Sequence, residues 1–370
     1  MSCEFSPITE SNPAQSKAEK RMSDSVHSNG DASKRAKEDQ EGETHTKKHH
    51  HASFAADDSM DSAASEPEDK QESGDENPRE IIVVDENTDE LDMNHQRIAK
   101  ITNLEPLKQL ERLYLRWNLI KKIENLSHLT TLRELELYDN QIMVIENLDT
   151  LVNLEILDLS FNRIREIKNL DALVNLEKLY LSSNKIQKIE NLSHLKKLAC
   201  LELGDNKIRV IENLDGLSSL KSLYLGKNKI AKIENLGCLT SLDLLSLQHN
   251  RLTVIENLDQ LTNLNQLYIS ENGIEEIQNL DKNAELSTLD LAQNKIKEIK
   301  NISHLSNLEE LWLNDNSVDK WTNVEVLTSN KKLKTIYLER NPVATETGYR
   351  RKIKLTIPWI VQIDATLAGQ

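Results

Sequence analysis

The feature that most constrains this chain is a Leu-x-Leu-x-x-Asn-x-Ile phrase that returns ten times at a fixed step of 22 residues, with another aliphatic residue exchanged only at Leu252, Ile269 and Val318. It is first complete at Leu113, Leu115, Asn118 and Ile120. Its asparagines then stand at Asn118, Asn140, Asn162, Asn184, Asn206, Asn228, Asn250, Asn272, Asn294 and Asn316. A unit this short buries its apolar face only against copies of itself, so a constant period implies one solenoid where 370 residues would otherwise suggest two globules. The alternation Leu135-Glu136-Leu137 predicts a short strand with two side chains inward and one outward. The spacing of three along Leu126, Leu129 and Leu132 predicts 3-10 or irregular turns opposite, since a helix does not fit between parallel strands this close in sequence. The expected fold is an α/β solenoid, a right-handed superhelix with short parallel strands on the concave face. About twelve units, caps included, make an inner surface on the order of 50 Å long.

Two asparagine columns follow from backbone satisfaction. Where the chain leaves the strand, a buried amide can both donate and accept, which gives Asn118 through Asn316 a structural role. The second column, Asn125 through Asn301 in the Ile-Glu-Asn-Leu turn, is expected to cap the convex segment in the same way. The domain boundaries fall at 1–79 (tail), 80–341 (solenoid) and 342–370 (C-terminal cap). Ile81 to Val84 open the folded part, and Leu91, Met93 and Ile98 form a degraded first unit with Gln96 in the asparagine's place. Asn283 stands where other units have leucine, so that turn is expected to be distorted or shifted outward. The step from Asn316 to Asn341 is 25, which puts three extra residues near Ser329, Asn330 and Lys331. Tyr349 to Ile353 read as a short amphipathic helix ending before Pro358 that covers the last strand.

Residues 1–79 are too polar to offset the entropy of ordering, and a disordered tail is expected. Within it Lys20, Arg21, Lys34, Arg35 and Lys37 make a two-part basic signal of the kind nuclear import receptors read. The histidines at 45 and 49–51 offer no defined coordination geometry, and no metal or other cofactor is expected. Ser59, Ser62, Ser65 and Ser73 lie among carboxylates, which suits acid-directed phosphorylation and simple solubilisation equally. Three cysteines without paired spacing fit a reduced compartment. With no signal-like or membrane-length apolar run, the chain reads as soluble and intracellular, a monomer on its own. The net charge of −15 speaks against nucleic acid and for a basic protein partner.

No catalytic constellation emerges, and near-identical turns leave little irregular backbone on which to build one, so the chain reads as non-enzymatic. The informative column is the residue between the paired leucines: Tyr114, Glu136, Asp158, Tyr180, Glu202, Tyr224, Ser246, Tyr268, Asp290, Trp312 and Tyr337. It holds five of the seven tyrosines in the chain, at positions expected to face solvent. Stacking between ladder neighbours would explain aromatics there only if they were adjacent, whereas aromatic and acidic residues alternate along the column and few aromatics are neighbours. The next outward column is small at Ser160, Ser182, Gly204, Gly226, Ser270 and Ala292, leaving room for a partner. Asp158, Tyr180, Glu202, Tyr224, Tyr268, Asp290, Glu310, Trp312 and Tyr337 are therefore the candidate binding residues. Glu134, Asp139, Asp205, Glu271, Glu310, Asp315 and Glu339 flank the same face and favour a Lys- and Arg-rich surface. Trp117 and Phe161 either extend the contact or pack within their loops.

The Ile-Glu-Asn-Leu turns at 123–126 and 189–192 resemble those of the leucine-rich-repeat regulators of protein phosphatase 1. So does the C-terminal run Tyr337 to Pro342, with Tyr349-Arg350-Arg351 and Gln362 to Thr366 behind it. The resemblance spans roughly residues 80–370. It implies a leucine-rich-repeat superhelix that grips the catalytic subunit of a Ser/Thr phosphatase with its concave face, in nucleus and cytoplasm. It further implies association with a small phosphatase inhibitor and links to maturation of the catalytic subunit and mitotic exit. Carried over unit by unit, the contacts are Asp158, Tyr180, Glu202, Tyr224, Glu310, Trp312 and Tyr337. A basic residue followed by Val-x-Phe, the short docking motif of many such regulators, is absent. The same scaffold could instead serve a cytoskeletal or RNA-associated complex, or act as a substrate receptor of a ubiquitin ligase.

Overall fold

The computed structural model describes residues 84–368, and there the 22-residue period becomes a ladder. Twelve three-residue parallel strands run from β1 (Glu90–Asp92) through β2 (Arg112–Tyr114) to β11 (Glu310–Trp312) and β12 (Thr335–Tyr337). Each pairs with the next in chain order. Register is one repeat per step, so that Leu113 lies opposite Leu135 and Leu135 opposite Leu157. A column in the sequence is therefore a physical row across the sheet. The expected strand is present but shifted: it covers Glu134–Glu136, with Leu135 buried in the middle and Glu134 and Glu136 on the concave side. Leu137 is buried just after it, its N–H bonded to Asp158 O at 2.8 Å.

On the convex side the chain makes consecutive tight turns. Leu129 N–H donates to Leu126 O at 2.9 Å and Leu132 N–H to Leu129 O at 3.1 Å, so apolar residues every third position share one buried side. The ladder asparagines behave as expected. The Asn206 amide donates to Leu181 O at 2.9 Å, Leu203 O and Gly204 O, while its oxygen accepts from Ile186 N–H at 2.9 Å. The second column has a further reason for being asparagine. Asn125, Asn147 and their successors take φ near +59°, a left-handed backbone that asparagine tolerates better than other side chains, while the Asn147 amide donates to Ile123 O of the preceding unit at 2.6 Å.

Two expectations about the turns are corrected. Asn283 is not displaced: it is fully buried, and its amide spends both hydrogens on Leu258 O at 3.0 Å and Leu261 O at 2.9 Å. The extra residues of the 25-residue step do not lie at Ser329, Asn330 and Lys331, because Asn330 occupies the same slot as Asn283 one insertion later and donates to Ile302 O and Leu305 O. Val318 keeps the normal offset from Ile296, whereas buried Val324 and Leu327 are already offset by 25 from Ile299 and Ile302. The insertion is thus absorbed between them, where α1 (Trp321–Glu325) and a 3-10 turn (Val326–Ser329) replace the usual turns.

The last strand is covered by strands first and a helix second. β13 (Gln362–Ile363) adds in parallel to β12, and β14 (Thr366–Leu367) folds back on it antiparallel. The expected helix is α2 (Tyr349–Thr356), and its Arg350 guanidinium ties down that hairpin by donating to Ile363 O at 2.6 Å and Leu367 O at 3.1 Å. The asparagine ladder ends at Asn341, and beyond it a carboxylate takes over from the sheet backbone: Asp364 accepts from Leu338 N–H at 2.8 Å, where in the unit before Leu313 N–H meets the carbonyl of Tyr337, and from Glu339 N–H at 2.9 Å. At the other end Leu91, Met93 and Ile98 are buried as the first unit, and Val84 packs against the core. Residues 81–83 and the tail before them, with the two-part basic signal, the histidines and the serines among carboxylates, lie outside the described residues. No helix among those described is long and apolar enough to cross a membrane.

The ladder amide predicts a measurable cost. Asn206→Ala leaves buried carbonyls and one N–H unpaired and should destabilise by about 1–3 kcal/mol, seen as a lower unfolding midpoint in denaturant; an unchanged midpoint would refute the role.

Candidate functional site: the concave strip

Residues one and three of each strand face the concavity, which produces two parallel files. The third-residue file is the one singled out above, in register as Asp158, Tyr180, Glu202 and Tyr224. The first-residue file runs beside it and includes Glu134, Lys178, Cys200, Gln266 and Glu310.

The file is not uniformly open to solvent. Tyr114, Tyr180, Glu202, Tyr224, Tyr268, Trp312 and Tyr337 are half-buried, but Asp158, Asp290, Glu136 and Ser246 are buried at 5% exposure or less. At Asp290 the cause is side-chain length: strands about 4.8 Å apart set this short acid between Tyr268 and Trp312, and the rings lean over it. Tyr268 and Trp312 are two strands apart, yet their ring centroids come within 6.5 Å, edge to face, roofing Asp290 between them. Trp312 also meets Tyr337 at 5.6 Å. The aromatics thus do cluster, over β9 to β12, which alternation in the sequence concealed.

Beneath that roof Asp290 accepts from Ser270 Oγ at 2.6 Å, Ala292 N–H at 3.0 Å and Gln248 Nε2 at 3.4 Å. Desolvation nonetheless dominates and pushes its carboxyl above the usual carboxylate range, with the hydrogen bonds opposing. Asp158 likewise accepts from Ser160 N–H at 2.9 Å. Glu136 pairs with Arg116, an ion pair the sequence reading missed because the arginine sits two residues past the tyrosine column. Burial raises the phenols too: Tyr114 to about 12, and Tyr224 well above its ordinary value. These two rings present neutral hydroxyls at physiological pH. Cys200 beside them is pushed to about 12 by burial, an unreactive thiol.

Several flanking acids are engaged within the chain. Asp315 is held by Arg340 through two bonds, one of 2.7 Å, which keeps its carboxyl below the ordinary value. Glu339 meets the same guanidinium at 2.8 Å. Glu271 bonds His249 at 2.7 Å, and Asp205 bonds Ser183 at 3.1 Å. Trp117 and Phe161 belong to a separate stack, His95–Trp117–Tyr138–Phe161, with centroid separations of 4.2, 5.5 and 4.8 Å. His95, Trp117 and Phe161 all take φ near +55°, and Tyr138, from the small-residue column, completes the row. The stack is legible when the two columns immediately before the ladder asparagine are read together.

This architecture is made of leucine-rich repeats, and family models say the same: leucine-rich-repeat models match residues 130–172, 175–230 and 243–365. Among solved structures, an internalin from Listeria monocytogenes superposes with a TM-score of 0.63 at 27% identity, covering 77% of this chain and 90% of that one. A leucine-rich-repeat protein from Leptospira interrogans gives 0.60 at 26% identity, covering 71% and 74%. Among curated proteins, protein phosphatase 1 regulatory subunit 7 from Danio rerio and from Homo sapiens are each 50% identical to this chain over 46 residues. That stretch is 12% of this chain and 13% of either relative.

Asp290 supplies a pH test. Its folded pKa lies above its unfolded value, so the native state binds the extra proton and stability falls as pH rises from the unfolded carboxylate value through the raised one. Asp290→Asn keeps an acceptor for Ser270 and Ala292 but cannot ionise. The unfolding free energy of the variant should therefore gain on that of the original chain as pH rises through this window; a constant difference would show that the buried carboxylate carries no such penalty.

Proposed function

We propose that this chain is a non-catalytic regulatory subunit that holds the catalytic subunit of protein phosphatase 1 on its concave face, controlling its activity, maturation or location. The observation that carries the reading is the cluster of Tyr268, Trp312 and Tyr337 beside Glu310, on strands β9, β11 and β12 of one sheet. Half-exposed rings on a preorganised sheet cost little entropy to bury, and a carboxylate at their edge selects a basic counter-surface. The identity of the partner rests on the short stretch shared with the regulatory subunit and on the likeness of the turns and cap. Tyr180, Glu202 and Tyr224 extend the strip toward the N-terminal half. Asp158 and Asp290 act beneath it, holding turns and rings in place, and contribute through position. A small phosphatase inhibitor in a ternary complex, and residence in nucleus and cytoplasm through the basic clusters in residues 20–37, belong to the same proposal.

Titration of purified phosphatase catalytic subunit against the full chain tests it. Trp312→Ala removes the central ring and should weaken binding about 30-fold, a loss of about 2 kcal/mol typical of an interface anchor. Glu310→Ala should weaken it less, with a shallower dependence on salt. Equal affinity for all three proteins would overturn the concave-face mechanism, and no binding by the unmodified chain would overturn the partner.

A further inference from the structure

The rim that follows the ladder asparagines carries charge of the opposite sign to the chain as a whole. One residue past the asparagine stand Arg163, Lys185, Lys207, Lys229 and Arg251, five consecutive units without interruption. The five six-residue windows beginning at 161, 183, 205, 227 and 249 hold ten Lys and Arg against two carboxylates, a local excess of eight positive charges in a chain of net −15. The row is built on fixed backbone: the N–H of each of the five residues donates to the isoleucine carbonyl of the unit before at 2.8 Å, as Lys185 does to Ile164 and Lys207 to Ile186. At about 4.8 Å per step the five cations span roughly 19 Å. Arg163, Lys207 and Arg251 are exposed, Lys185 and Lys229 half-buried. Among the described residues none of the five makes an ion pair, whereas neighbouring Lys188, Lys227 and Lys232 meet Glu190, Asp205 and Glu234 at 3.3, 3.9 and 3.9 Å.

Five like charges in a row repel one another, and nothing in the solenoid requires them, since the equivalent position is leucine at Leu119 and glycine at Gly273. A complementary segment exists in the same chain. Between residues 57 and 76 stand nine carboxylates and one lysine, a net −8 against the +8 of the rim. The residues from 57 to 83 reach up to ~90 Å when extended, while Arg251 lies seven strand steps, about 34 Å, along the axis from β1. A segment so tethered has an effective concentration in the millimolar range, enough for a weak electrostatic contact to be populated. We infer that the acidic segment 57–76 docks in cis along the basic rim of residues 163–251. The rim is then a second interaction surface, distinct from the concave strip, occupied by the chain itself until a stronger polyanion displaces it. Nucleic acid is disfavoured as the rim's occupant, because a duplex or long strand extending past the stripe meets the remaining net negative charge.

Zero-length carbodiimide coupling, which joins a carboxylate to an amine with loss of water, tests this on the full chain. Peptide mapping by mass spectrometry should find segment 57–76 joined to Lys185, Lys207 and Lys229 within one chain, independent of protein concentration. Yield should fall roughly tenfold on raising salt from about 20 mM to about 500 mM. A variant carrying Lys185→Glu, Lys207→Glu and Lys229→Glu, with its melting transition checked, should lose electrostatic capture; its remaining rim residues Lys227 and Lys232 should no longer couple to the segment. Coupling to the rim no greater than to Lys282 and Lys320, coupling only between chains, or indifference to salt would each overturn the inference. None of these readouts involves a phosphatase, so the outcome is separate from that of the concave-face proposal.

Discussion

The solenoid depends on one recurring hydrogen-bond exchange: a buried asparagine amide that spans two units. Asn140 takes the N–H of Ile120 at 3.0 Å and gives hydrogens to Leu115 O at 2.8 Å and Leu137 O at 3.2 Å, satisfying groups of two successive turns with one side chain. Without it the chain could not turn sharply enough at the strand end to return within one period, because the freed carbonyls would point into leucine. Every other regularity follows from that fixed corner. The strands are three residues long because the corner comes at once, the register is locked at one repeat, and rows of side chains become ladders whose spacing the protein cannot alter.

Fixed ladder spacing is also what makes the concave face informative. At about 4.8 Å between rows, equal side chains would simply stack, so any departure from uniform size forces a choice. From β9 to β11 a short acid stands between two large rings, and the rings resolve the mismatch by leaning together. Tyr268 and Trp312 close over Asp290, and the acid becomes a buried anchor for the Ser270 hydroxyl and the Ala292 amide. The ionic cost of that burial is visible in its raised pKa. A face that reads in sequence as aromatic and acidic is, in three dimensions, chiefly aromatic with acids at its margins.

This explains how much could be read in advance. Strand positions, columns, the buried asparagines and both caps follow from period and polarity, which local chemistry dictates. The lean of the rings over Asp290, the Arg116–Glu136 pair and the Arg340 clasp on Asp315 depend on rotamers chosen across strands, which no single column encodes. Asn283 misled for a related reason: an amide in a leucine slot looks like a defect until the two carbonyls it serves are seen. The insertion was placed by the length of the step alone, whereas its position is set by which apolar side chains keep the old offset, Val318, and which take the new one, Val324. Asn125 and its successors are legible in sequence as turn residues whose amides bond the convex segment, but only the backbone angle shows that left-handed geometry is a second reason for asparagine there.

The aromatic cluster lies at the C-terminal end, and the position has a physical reason. A perfect repeat offers every unit the same surface, so nothing along it can define one register for a partner; distinctness arises only where the repeat breaks. Here the break and the rings coincide. The long step before β12 brings in α1, the hairpin β13–β14 adds strands outside the period, and Gln362 of that hairpin donates from Nε2 to the Tyr337 hydroxyl at 2.7 Å. Tyr337 in turn packs on Trp312, so the orientation of the outermost ring of the cluster is set by the cap. Arg350 secures the hairpin that carries Gln362. The cap therefore does more than shield the last strand: through Gln362 it fixes the outer edge of the concave aromatic cluster, at the point where the repeat itself breaks.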